Sequence, residues 1–375
     1  MARLEVFDDF AAARPLWRRL ELALPLMTPY QRYEWLAHWH RHIGRMQGVE
    51  PLIIAGIDGD DVPMFILPFV RERRQGCHVA GFGGGSHSNL NMAIWRTDVA
   101  AALDRTALAN LLRDVAEVGQ IDLFALLGQP QTWRSLRNPF AMLPWQPSPD
   151  DVYTGKLDSC SPQSKLRLPA SIRKKQRKLM RLENYRFGAA KTTDDVDRIL
   201  NAFWPQRAAR FAKMRIRNVF ENPGVTGFIR TGCLDGLGEQ RPALELYALE
   251  AGGEILAVVI GVSDRDRFSA MFNSITAGDR GRHSPGIILF AHVAADCATR
   301  GIDSIDLGAG NAPYKEYFCD QPERRFDCFV PMSRRGQVLS AALRASRIVK
   351  HAVKTNPAAM IALQAIRYWT GAPSW

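Results

Sequence analysis

From Cys328 to its last residue, Trp375, this 375-residue chain contains no aspartate and no glutamate. Much of the net charge of +11 comes from there, so the surplus is local and calls for an anionic neighbour. The same stretch holds AAMIALQAI, nine residues with only Gln364 polar. A bilayer span needs roughly 20 apolar residues, so the tail cannot cross one. The six cysteines, Cys77, Cys160, Cys233, Cys297, Cys319 and Cys328, form no CxxC pair and accompany no signal peptide, which leads to the expectation of a reduced cytoplasmic protein. There is no GxSxG elbow, and no cysteine stands in a recognisable nucleophilic setting, so a covalent acyl-enzyme is not expected. GFGGGSHSN, residues 81–89, lacks the Lys-Ser or Lys-Thr pair of a Walker loop. His38 and His42 stand at i, i+4 in WLAHWHRHIG without the glutamate or third ligand of a zincin, so no metal is expected.

What is present concentrates between Arg280 and Phe318, RGRHSPGIILFAHVAADCATRGIDSIDLGAGNAPYKEYF. Ser284 is a candidate N-cap, Pro285 suits a first helical turn, and Gly301 ends the helix. Ile287, Ile288, Phe290, Ala291, Val293 and Ala294 give that helix an apolar face. Backbone N–H groups near Gly286 and Ile287 would point out of its N-terminus beside Arg280, Arg282 and His283, a setting that binds phosphate. A short strand, Ser304 to Gly308, and a second helix carrying Tyr314, Lys315 and Glu316 follow.

The chain also repeats itself. Residues 52–73, LIIAGIDGDDVPMFILPFVRER, match the pattern of residues 246–267, LYALEAGGEILAVVIGVSDRDR: strand, glycine-centred turn, strand, then charge. Each is followed at a comparable offset by a helix end, a glycine break and a short strand, VAEVGQIDLFALLG and CATRGIDSIDLGAG. Two similar α/β units in tandem account for this. The expected division is a first domain at 1–155, a basic linker helix at 156–190, a second domain at 191–333 and a tail at 334–375. In the linker Ile172, Leu179 and Leu182 share one side and cations fill the rest, as in a solvated connecting helix or a phosphate or membrane contact. In the tail, Arg344, Arg347, Lys350 and Lys354 cluster opposite Val338, Ala342, Ala345, Val349 and Val353. With Tyr368, Trp369 and Trp375 beyond it, this basic amphipathic helix suits an anionic membrane surface, or else a tail packed on the protein itself.

Ser284-Pro285-Gly286, Asp306-Leu307-Gly308 and Tyr314-Lys315 together resemble the GNAT acyltransferase superfamily, in its BioF2-like, CelD-like branch of two-domain bacterial proteins related to the FemABX peptidyltransferases. The resemblance runs from about Tyr30 to Pro331. It implies a mixed α/β (α+β) fold of two tandem GNAT-like domains with a cleft between them, and a thioester donor, acyl-CoA, used as cosubstrate without a permanently bound cofactor. It implies that Tyr314 protonates the leaving sulfur, with Asp306 or His283 acting on the amine; Asp306 could instead cap the turn before Tyr314. Arg280, Arg282, Ser284, Gly286, Ile287 and Lys315 are the donor-site candidates, although Lys315 could pair instead with Glu316 or Asp320. His87, Asn89 and Asn91 in the glycine-rich turn, and Asn273 in FSAMFNSI, are the acceptor-site candidates; backbone N–H groups of FSAMFNSI would hold the oxyanion.

The expected reaction is transfer of an acyl group from a thioester to an amine at the cytoplasmic membrane surface. A long-chain, sphingoid-type amine giving a ceramide-like lipid is the preferred acceptor. An amino sugar of a lipid-linked exopolysaccharide precursor is the alternative. Two others stay open: a FemX-like transferase using aminoacyl-tRNA, and a non-catalytic scaffold that binds acyl-CoA. Nucleic acid is otherwise disfavoured, because neither basic segment interleaves aromatics with its cations as single-strand binders do.

Overall fold

The computed structural model describes residues 3–157, 168–238, 241–310 and 312–356. The described residues fall into two units, those up to 151 together with those from 323 on, and those between 152 and 322.

The first unit contains β1 (Arg3–Phe7), α1 (Phe10–Leu22), α2 (Tyr33–Trp39), β2 (Glu50–Ile57), β3 (Pro63–Arg74), β4 (Cys77–Phe82), β5 (Ile94–Trp95), α3 (Thr97–Ala102), α4 (Arg105–Gly119), β6 (Leu123–Pro130), β7 (Thr132–Trp133), β8 (Leu136–Arg137) and β9 (Trp145–Pro147). The second contains β10 (Val152–Lys156), α5 (Ala170–Leu179), β11 (Arg186–Ala189), α6 (Thr193–Met214), α7 (Val225–Leu234), β12 (Glu245–Ala251), β13 (Glu254–Ser263), β14 (Arg267–Ile275), α8 (Pro285–Thr299), β15 (Ser304–Ala309) and β16 (Gln321–Glu323). β17 (Arg325–Pro331) and α9 (Arg334–Thr355) return to the first unit.

The sheets run β1-β2-β3-β4-β6-β17-β9, with β5 against β3, and β11-β12-β13-β14-β15-β10-β16. Position by position the plans agree: antiparallel strands lead to one parallel pair, β4 with β6 and β14 with β15. The repeat read from the sequence is therefore structural, since its two hairpins are β2–β3 and β12–β13. The strand beside each parallel pair comes from the other half of the chain. β17 runs antiparallel to β6, with Cys328 opposite Leu126, and β10 runs antiparallel to β15, with Thr154 opposite Asp306.

That exchange moves the expected boundaries. The first break falls at Asp151 rather than 155, and the second at Pro322 rather than 333, because β17 completes the first sheet. The expected linker at 156–190 is not a connecting helix. Over its described part, 168–190, Ile172 (6% exposed) and Leu179 (0%) of α5 enter the core around α8, and β11 is an edge strand of the second sheet. Apolar residues seven apart on one side bury a helix whatever its remaining surface carries.

The expected amphipathic helix forms as α9, with Ser333 as N-cap accepting from the Gly336 N–H. Two of its cations, Arg344 and Arg347, face the protein. Arg347 bonds the fully buried Asp327 carboxylate, and Arg344 donates to the Phe329 carbonyl at 2.7 Å. A buried carboxylate demands a counter-charge, and that demand outweighs the usual preference of arginine for solvent. Gly336 lets the helix start approach: a Cβ there would lie 1.8 Å from the Asp122 carbonyl oxygen. The remainder of the expected tail, 357–375, lies outside the described residues.

Candidate active site

The parallel pair β14–β15 extends only from Arg267–Ser304 to Ser269–Asp306. β14 then continues to Ile275 and β15 to Ala309, so the strands part and leave an opening in the second sheet. In the first sheet the equivalent place is filled. Asn91 donates from its backbone to Gly128 O at 3.0 Å and from its side chain to Leu127 O at 3.1 Å.

Two features of β14 aim side chains at this opening. A bulge at Met271, where Ala270 opposes Gly261 but Phe272 opposes Ile260, flips the faces of the residues that follow. Phe272 and Ser274 consequently turn toward α6, Ser274 donating to Gln206 Oε1 at 2.6 Å, while Asn273 and Ile275 turn toward α8. Gly286 at the start of α8 permits this packing, since a Cβ there would sit 2.7 Å from Ile275 Cδ1.

Tyr314 follows β15 in a short 3-10 turn, Pro313–Tyr317. Its ring stacks on Phe290 of α8 at 5.7 Å, and its hydroxyl is hydrogen-bonded by the Asn273 side chain from the far strand. Burial holds the phenol above its usual pKa; the nearby Arg210 charge and the Asn273 bond pull it part of the way back. The group is therefore a protonated phenol at neutral pH, able to donate.

The other sequence candidates separate. Asp306 is fully buried on the strand face opposite Ile305 and Leu307, and its Oδ1 accepts from the Gly308 N–H at 2.6 Å. This bond is the one the turn-capping alternative requires. Lys315 is buried too, donating to the carbonyls of Gly308 (2.8 Å), Ala309 (3.2 Å) and Gly310 (2.7 Å). A buried ammonium satisfied by three carbonyls fixes the turn that presents Tyr314.

At the head of α8, Ser284 adopts a left-handed φ of 56° and makes no side-chain cap; its Oγ accepts from Lys175 Nζ of α5 at 3.0 Å. Ile287 donates its N–H to Ser284 O at 3.1 Å, leaving Gly286 as the nearer donor. Arg280 is turned away, bonding Glu254 at 3.1 Å and the Gly252 carbonyl at 3.2 Å across the β12–β13 turn. Arg282 is exposed. His283, lowered in pKa first by burial and then by Arg282, Lys178 and Lys175, is a neutral imidazole within a cationic cluster.

His87, Asn89 and Asn91 belong to the first unit and have partners there. Trp39 Nε1 donates to His87 Nδ1 at 3.4 Å, and the Asn89 amide donates to the Tyr30 hydroxyl at 2.8 Å. With Asn91 they stiffen the glycine-rich loop; Asn273, in the second unit, is hydrogen-bonded to Tyr314.

Sequence reasoning missed Arg207 and Arg210 of α6. Arg207 lies between the rings of Phe211 (4.7 Å) and Phe220 (4.9 Å) and donates to Asn273 O at 3.0 Å, on the β14 edge that β15 has left. Burial, helped by the Arg210 charge, pushes its pKa down to about 10. A signal existed: Phe203, Arg207 and Phe211 are spaced by four, so Arg207 occupies a core slot of the helix.

Residues 165–316 match the family model of an acetyltransferase (GNAT) domain. No curated protein matches the chain. Among solved structures it is similar to FemX, at 8% identity over 84% of this chain and 94% of that one, with a TM-score of 0.58. It is also similar to the C-terminal domain of a putative lysylphosphatidylglycerol synthetase from Agrobacterium fabrum (11% identity, 88% of this chain and 96% of that one, TM-score 0.51). A conserved protein of unknown function from Bacteroides thetaiotaomicron matches at 13% identity, over 88% of this chain and 100% of that one, with a TM-score of 0.51. At such identities the likeness establishes a shared fold. Within the second unit, residues 165–316 thus match a GNAT acetyltransferase domain, and the chain shares the mixed α/β fold of the three structures.

Proposed function

We propose that the protein is an acyl-CoA-dependent N-acyltransferase whose donor thioester enters the opening between β14 and β15. The observation that carries this reading is Tyr314 reaching across the parted strands to Asn273. The acceptor amine attacks the thioester carbonyl, the C–N bond forms as the C–S bond breaks, and the departing thiolate takes the Tyr314 proton; the amine loses its own proton to solvent, and the Tyr314 phenolate takes one back from solvent. The Asn273 amide occupies an acceptor site on the phenol oxygen, which keeps the O–H free for the sulfur. The Gly286 N–H at the head of α8, with Arg282, Lys175 and Lys178 nearby, suits the donor's pyrophosphate. Arg207 and Arg210 beside Tyr314 suit a substrate carrying a negative charge.

For the acceptor we retain the long-chain, sphingoid-type amine held at the cytoplasmic face of a membrane, with a lipid-linked amino sugar as the alternative. A second reading, aminoacyl transfer from tRNA, is favoured by one observation: Arg173, Lys174, Arg177 and Lys178 stand exposed on α5, the helix packed against the start of α8. The test is mass spectrometry of products from purified protein given acetyl-CoA, long-chain acyl-CoA or aminoacyl-tRNA with a panel of sphingoid and amino-sugar acceptors. An N-acyl product formed only with a CoA thioester is the expected result. A product formed only with tRNA would replace the first reading by the second.

A further inference from the structure

Helix α9 is inverted relative to an ordinary surface helix. Its cations Arg344 and Arg347 are spent inward on Phe329 O and Asp327, and Leu339 (4% exposed) plugs into the sheet beside Val79 and Leu123. The outward arc is apolar: Val338 is 75% exposed, Ile348 58% and Val349 61%, and Ala341, Ala342 and Ala345 lie exposed among them. At 1.5 Å per residue this stripe is about 17 Å long from Val338 to Val349. Arg334 and Arg335 project from the same arc at the helix start; Arg335 stays 75% exposed, with only a 3.9 Å approach to Asp122. No acidic residue stands anywhere in the sequence from Cys328 onward. No helix among the described residues is long and apolar enough to cross a membrane.

We propose that this outward face of α9 docks on the surface of an anionic bilayer, the apolar stripe entering the interface and Arg334 and Arg335 meeting lipid phosphates. A valine-alanine-isoleucine face flanked by cations and free of carboxylates matches that surface in both apolarity and charge sign. The proposal rests on the membrane-held acceptor for its purpose, but its test does not involve turnover.

Full-length protein is sedimented with vesicles of phosphatidylcholine alone and of equal parts phosphatidylcholine and phosphatidylglycerol. Binding is expected to the mixed vesicles only, and to be reversed by salt, since the Debye length falls to about 3 Å at 1 M. The R334Q/R335Q variant should bind about 25-fold more weakly, at about fivefold for each cation removed near an anionic surface. V338D/V349D, which alters only exposed positions and should leave the circular dichroism unchanged, should bind more than about tenfold more weakly. Three results would overturn the proposal: no vesicle binding by the wild type; undiminished binding by V338D/V349D, which would move the contact to residues 357–375; or a dimer by light scattering that V338D/V349D dissociates, which would make a second copy the occupant.

Discussion

Replacing Arg347 by methionine isolates the contact that orients α9. Asp327 is fully buried on β17 and accepts from the Gly128 N–H at 2.8 Å, the Ser148 hydroxyl and Arg347. Arg347→Met keeps most of the side-chain volume but leaves that carboxylate without its counter-charge. Breaking a buried pair in this way costs 3–5 kcal/mol. The two remaining donors hold the loss near the lower end, about 3 kcal/mol. In a first unit of this size that is roughly 1 M in urea midpoint. Trp17, Trp35, Trp39, Trp95, Trp133 and Trp145 all belong to that unit, so tryptophan fluorescence reports mainly on its unfolding. The second arm is Asp327→Asn, which removes the charge that needs Arg347. In that background Arg347→Met should cost less than about 1 kcal/mol, a coupling typical of residues in direct contact. If Arg347→Met shifts the midpoint no more than a surface substitution does, within about 0.5 kcal/mol, then Arg347 faces outward and the inverted reading of α9 is wrong.

Four further outcomes are expected. Tyr314→Phe should lower kcat by about 100-fold while leaving donor affinity within about twofold, because a positioned acid acts in the transition state; a loss under about threefold would assign Tyr314 a structural role. Arg210→Gln removes a charge that lowers the Tyr314 pKa, so the alkaline limb of the kcat/KM profile should move to higher pH, and a limb that stays or moves down would refute the proximity. His40, His87 and His292 have folded pKa values below 6.5, burial being the main cause, so their contribution to stability is complete above 6.5 and is lost as pH falls below it; thermal melts should show the midpoint dropping as pH falls below about 6.5, and a flat profile would contradict their burial. Gly286→Ala forces a Cβ to within 2.7 Å of Ile275 Cδ1 and should cost about 1–3 kcal/mol of stability; the Ile275→Val change should recover part of it, and an additive result would mean that the clash is not the cause.

The sequence by itself determined the local elements and their duplication. Alternating apolar runs around glycine turns specified the hairpins β2–β3 and β12–β13, and Pro285, Gly301 and the apolar face between them specified α8. These depend on short-range periodicity and turn chemistry, which a single chain displays. Tyr314 and Asn273 were also legible as candidates, though not as partners, because the bulge at Met271 that turns Asn273 toward Tyr314 depends on the register with β13. Only the tertiary structure decided the rest. The exchange of β10 and β17 is a choice of pairing between strands remote in sequence, and no local pattern encodes it. Asp306 and Lys315 are polar residues in a plausible motif, and their burial in one hydrogen-bonded turn depends on packing that no local pattern displays. For α9 the helical wheel divided cations from apolar residues correctly, but a wheel has no inside. A buried carboxylate at Asp327, supplied by a different element, drew Arg347 inward and left Val338 and Val349 facing out.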